Sequence, residues 1–114
     1  MSGPAKFEIR EFVRIILPMI DFLKEKYRPF TAIAREAVRR GIIKESEVDR
    51  FYWVFTVVNR GIHIFEGEFY PSDQTPTGRD RWEWKLAGDI SKEKLMKRID
   101  GYVRTNFRTP LYSR

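Results

Sequence analysis

From Phe7 to Tyr27 apolar side chains recur at Ile9, Phe12, Val13, Ile16, Ile20, Leu23 and Tyr27, the three-and-four spacing that lays one apolar stripe along a helix. Pro18 falls inside this stretch, removes a backbone donor and crowds the preceding turn, so the pattern predicts a kink or a restart there. Arg28-Pro29 ends the element. Thr31 stands where a cap is needed for a second helix, with Ile33, Ala34, Ala37 and Val38 inward and Gly41 closing it. A third helix is expected after Ser46, which has an acidic residue three positions on. Val48, Phe51, Tyr52, Phe55 and Val58 share its inner face, and Gly61 ends it.

The same third segment has a second reading. Phe51 to Val58 is an unbroken run of aromatic and β-branched types, which favour strands, and Asn59-Arg60-Gly61 then serves as a hairpin loop. Capping and glycine placement at both ends favour the helix. Beyond it, Ile62 to Tyr70 reads as a strand, 71–78 as a polar loop, and Arg81 to Leu86 as a strand with Trp82, Trp84 and Leu86 on one side. Ser91 caps a last helix carrying Leu95, Ile99, Tyr102 and Val103, and Pro110 stops it. The whole, 1–114, reads as one domain with 1–6 and 108–114 as flexible tails.

Composition narrows the chemistry. The 114 residues contain no cysteine, which removes disulfides, thiolate metal sites and cysteine nucleophiles together. His63 is the single histidine, and in an apolar run it is expected as a packed or surface residue rather than a ligand. No apolar run approaches a bilayer span, and Met1 to Lys6 lacks a signal-peptide core, so the expectation is a cytoplasmic protein with no membrane partner. Lys and Arg number 22 against 16 acids, a net charge of +6, which favours anionic partners. Asn59, Asn106 and Gln74 are the only amides, a usage like that of hyperthermophile proteins.

The element order, helix, helix, turn, helix and long-looped hairpin, resembles a winged-helix domain from about Phe7 to Leu86. Phe30 to Gly41, leading through a capped helix to Asn59-Arg60-Gly61-Ile62, carries most of that resemblance. It implies an α+β winged-helix domain with a long N-terminal helix and an added C-terminal helix. The alternative, with 50–58 as a strand, is a three-stranded antiparallel meander flanked by helices. The resemblance also implies a DNA-binding regulator or architectural factor. Its third helix would enter the major groove of double-stranded DNA while the wing meets the backbone or minor groove. By position, Arg35, Arg39 and Arg40 on the second helix, Arg50 and Arg60 on the third, and Arg79 and Arg81 beside the wing tip are the candidate contacts. No cofactor is implied.

Two features depart from that family. Glu45, Glu47 and Asp49 crowd the start of the third helix, where they repel phosphate but also complement the helix dipole. Trp53, Val54 and Val57 fall outside the inner stripe and are expected as an exposed interface for a homodimer or for docking in a nucleoprotein complex, which makes a protein-interaction module the alternative function. The run Phe51 to Thr56 also resembles a winged-helix protein of the eukaryotic small ribosomal subunit over those six residues. Finally, Asp73 with Glu83-Trp84-Lys85 resembles a metal-dependent nuclease pattern, in which carboxylates hold the ion and a lysine orients water. A Glu and a Lys alternating with Trp82, Trp84 and Leu86 are also what the solvent side of any half-buried strand carries, and Glu66 and Glu68 belong to the same pattern.

Overall fold

The computed structural model describes residues 3–69 and 78–112. Helix α1, Lys6–Ile16, starts where the Glu8 carboxylate accepts the Ala5 amide at 2.9 Å, and it buries Ile9, Phe12, Val13 and Ile16. The missing donor at Pro18 has the expected effect. The chain tightens into a 3-10 turn over Leu17–Met19 and resumes as the short α2, Ile20–Leu23.

Strand β1, Arg28–Pro29, leads directly into α3, Phe30–Arg39, whose first residue follows Pro29. Thr31 therefore lies inside the helix and does not cap it. The α3 start is capped from far along the chain: Asp80 accepts the Thr31 amide at 3.1 Å and its hydroxyl at 2.6 and 2.7 Å. Ser46 likewise sits within a 3-10 turn, Glu45–Glu47, that precedes α4, Val48–Ile62. Glu47 closes that turn by accepting the Lys44 amide at 2.7 Å.

Residues 50–58 are thus helical, and the strand alternative falls. Helical spacing puts Phe51, Val54, Phe55, Val58 and Ile62 on one buried side, a gain that outweighs the strand preference of the individual residues. Phe55 is the hub, with ring centroids 6.4 Å from Phe12, 5.5 Å from Phe30 and 4.7 Å from Phe65. Gly61 does not close α4. A Cβ there would lie 2.7 Å from the Pro4 ring, so glycine lets the N-terminal segment cross the helix. The closing residue is His63, at φ 60° and ψ 59°, its amide bonded to the Asn59 carbonyl at 2.8 Å.

Strands β2, Phe65–Phe69, and β3, Trp82–Leu86, complete an antiparallel sheet in the order β1-β3-β2, so the described fold is α+β. Phe65 pairs with Leu86, Gly67 with Trp84 and Phe69 with Trp82 on one face; Glu66 pairs with Lys85 and Glu68 with Glu83 on the other. The buried Asn59 ties α4 to this sheet by accepting the amides of Ile64 and Phe65 at 2.8 and 2.6 Å. Helix α5, Lys92–Asn106, is capped by Ser91 as expected and buries Leu95, Ile99 and Val103. Within the segment expected as a tail, Leu111 is buried and its carbonyl accepts Arg10 Nη1 at 2.9 Å. No helix among the described residues is long and apolar enough to cross a membrane.

Candidate nucleic-acid interface

The seven arginines singled out from the sequence do not lie together. Arg39 and Arg40 stand at the end of α3 and share one acid: Arg39 forks onto Glu36 at 2.9 and 2.6 Å, and Arg40 Nε reaches it at 2.7 Å. Those hydrogen bonds, from Arg39 first and Arg40 second, hold the Glu36 carboxyl down at about 2. Arg40 also donates to the Pro18 carbonyl at 3.0 Å and meets Asp21 at 3.3 Å, which staples α3 across the Pro18 turn. Arg50 is turned toward α1. It forks onto Glu11 at 3.1 and 2.5 Å and lies 5.6 Å from the Phe7 ring. Its hydrogen bond lowers the Glu11 pKa from the ordinary carboxylate value.

Arg60 lies near the C-terminal end of α4, in a groove with Trp53 and Tyr102. Of the remaining three, Arg35 and Arg79 line one depression, while Arg81 lies on the same turn as Arg79. Arg35, exposed on α3, borders a depression of about 230 Å³ together with Thr31, Glu45, Val48 and Arg79. Arg79 and Arg81 belong to the 3-10 turn Gly78–Arg81 that carries Asp80 onto the start of α3. Arg79 bonds Asp49 at 2.6 Å and covers the Tyr52 ring at 4.6 Å. Arg81 sits 4.7 Å over Phe69, with no carboxylate partner among the described residues. The acids at the α4 start are therefore largely occupied: Glu47 closes a turn and Asp49 holds Arg79.

The expected apolar interface is corrected at one position. Val54 is 0% exposed and belongs to the core, because α4 packs against α1 as well as α3 and so buries a wider arc than one stripe. Trp53 remains 54% exposed, with its indole N–H donated to Glu8 at 2.8 Å. With Val57, Arg60, Tyr102 and Asn106 it lines a groove of about 460 Å³ between α1, α4 and α5.

Of the residues in the nuclease pattern, Glu83 and Lys85 share one face of the hairpin with Glu68 and Glu66. Asp73 lies outside the described residues, Glu66 is engaged by the Tyr27 hydroxyl at 3.1 Å and the Gly88 amide at 3.0 Å, and Lys85 lies 5.6 Å from the Tyr27 ring. Among the described residues no group of three side chains is placed to hold a metal ion.

The other face of the hairpin carries a row of rings that helical and strand periodicity alone do not single out. Phe69 and Trp82 meet edge to face at 5.4 Å, and Trp82 lies nearly parallel to Trp84, at 24° and 5.9 Å. Trp84 in turn meets Phe55 at 5.5 Å. The alternation Phe65-x-Gly67-x-Phe69 opposite Trp82-x-Trp84 was the available signal: a glycine facing large rings leaves them room, and a Cβ at Gly67 would come within 2.7 Å of the Trp84 ring.

Comparison with protein-family models, with curated proteins and with solved structures found no match to this chain.

Proposed function

We propose that this chain is a winged-helix protein that binds double-stranded DNA as a regulator or architectural factor of the cytoplasm, with α4 directed at the major groove and the β2–β3 hairpin as the wing. The observation that carries the reading is the pairing of β3 with β1, the short strand before α3. It stands the hairpin beside the start of α3, the helix that carries the exposed Arg35, and next to the Gly78–Arg81 turn, which carries Arg81 and the Asp49-bound Arg79. A net charge of +6 supports an anionic partner. Arg39, Arg40 and Arg50 are assigned to holding the fold, since each is engaged by a carboxylate of this chain.

The test is duplex affinity at rising salt. Binding whose logarithm falls linearly with the logarithm of salt is expected, and no binding at low salt rejects the reading. Arg35→Ala and Arg81→Ala should weaken all sequences alike, as lost phosphate contacts do, while Arg39→Ala leaves affinity unchanged. A second reading, a protein-interaction module or small subunit of a nucleoprotein complex, is favoured by the groove at Trp53 and Val57. In that case Trp53→Asp, folded, changes mass or partner binding in light scattering and leaves DNA affinity alone.

A further inference from the structure

The hairpin has two unlike faces. One carries three acids, Glu66, Glu68 and Glu83, against a single cation, Lys85, which pairs with Glu66, while Glu68 and Glu83 are directly paired across the strands. A polyanion is repelled from that side. The opposite face carries a row of rings that starts in the core at Phe55 and passes through Trp84 and Trp82 to Phe69. The inner rings are held by packing, and the outer two are left bare: Phe69 is 46% and Trp82 43% exposed. Trp82 is thus a flat plate fixed in orientation by the ring beneath it, and Gly67 supplies the room that keeps the tryptophans across the strand. Arg81, over Phe69, adds a guanidinium at the edge.

We propose that the Phe69–Trp82 edge, with Arg81, stacks against an unpaired base, so that the DNA taken by this domain is duplex carrying an unpaired base at an overhang, a frayed end or a melted pair. The inference rests on the DNA-binding reading above. A flat ring fixed in place, a neighbouring cation and an acidic reverse face match a base with its phosphate. Every base offers a π-face, so such stacking tolerates any sequence. A closed, fully paired duplex offers this edge no base face, because its faces are covered by their neighbours in the stack.

The experiment compares a duplex with a single-stranded overhang and a duplex of the same sequence with both ends closed by loops of abasic linker, by fluorescence anisotropy. The overhang duplex is expected to bind about tenfold more tightly, and Trp82→Ala removes that difference while leaving the closed duplex unaffected. Phe69→Ala, with helical circular dichroism as the check on folding, should act in the same direction. Equal binding of the two duplexes by the unmodified protein, with a normal salt slope, overturns this inference and leaves the DNA-binding reading standing. So does a Trp82→Ala loss that is equal on both duplexes, or a change of molecular mass in Trp82→Ala, which assigns the edge to self-association. Failure to bind either duplex at low salt overturns both.

Discussion

On the α1–α4 side of the molecule the exposed rings are tied down by this chain's own charges. Trp53 gives its indole N–H to Glu8, and Phe7 lies beneath the guanidinium that Arg50 sends to Glu11. At the hairpin edge Phe69 and Trp82 are exposed to a similar degree, yet what supports them is a row of rings from the core and one arginine without a carboxylate partner among the described residues. Exposure therefore says less than what surrounds it. A ring whose polar atom and neighbouring charges are satisfied within the chain offers a partner little beyond apolar area. A ring beside a cation that no carboxylate among the described residues engages offers area and charge together.

Phe55 joins the two regions, and removing it should break both. Phe55→Ala deletes the ring that meets Phe12 on α1 and Trp84 on the hairpin, and a loss of about 3–5 kcal/mol is expected in chemical denaturation. Asn59→Ala acts on the hairpin alone. It leaves the Ile64 and Phe65 amides without their acceptor, so about 1–3 kcal/mol should be lost, with amide exchange rising in β2 before α1. Asp80→Ala uncaps α3 and frees the turn that carries Arg79 and Arg81. It should cost about 1 kcal/mol, read as a drop in Tm. Arg50→Ala tests the α1–α4 side by itself and should cost about 0.2–1 kcal/mol, because the pair is partly exposed. Greater loss there than in Asn59→Ala would reverse the comparison.

The fifth effect is one of pH. Glu36 titrates at about 2 in the folded chain against an ordinary 4.5, so its pairs with Arg39 and Arg40 stabilise the fold above a pH of about 4.5 and lose that effect as pH falls toward 2. Glu36→Gln should reduce the decline in urea midpoint between neutral pH and a pH of about 3.

Much of the helical framework was legible in the order of residues. The restart at Pro18, the inner face of α5 and the Ser91 cap follow from periodicity and from contacts a few residues apart. The arginines were legible as a set, but their sorting was not. Arg35 and Arg39 look alike on a helical wheel, and only the positions of Glu36 and the Gly78–Arg81 turn separate a side chain held by an acid from one left beside the hairpin. Val54 was misplaced for a related reason: a wheel shows one stripe, and α1 covers a second.

By itself, then, the sequence determined the inner faces of α1, α3 and α5, the break at Pro18, the start of α5 at Ser91 and which residues alternate across β2 and β3, because spacing and local caps act over a few residues. Tertiary structure decided that 50–58 is a helix despite its strand-favouring residues, that Asp80 caps a helix 49 residues away, and that a two-residue strand before α3 anchors the hairpin. These are contacts between distant parts of the chain. Their formation depends on the burial of one shared core, Phe55 at its centre, rather than on any local preference.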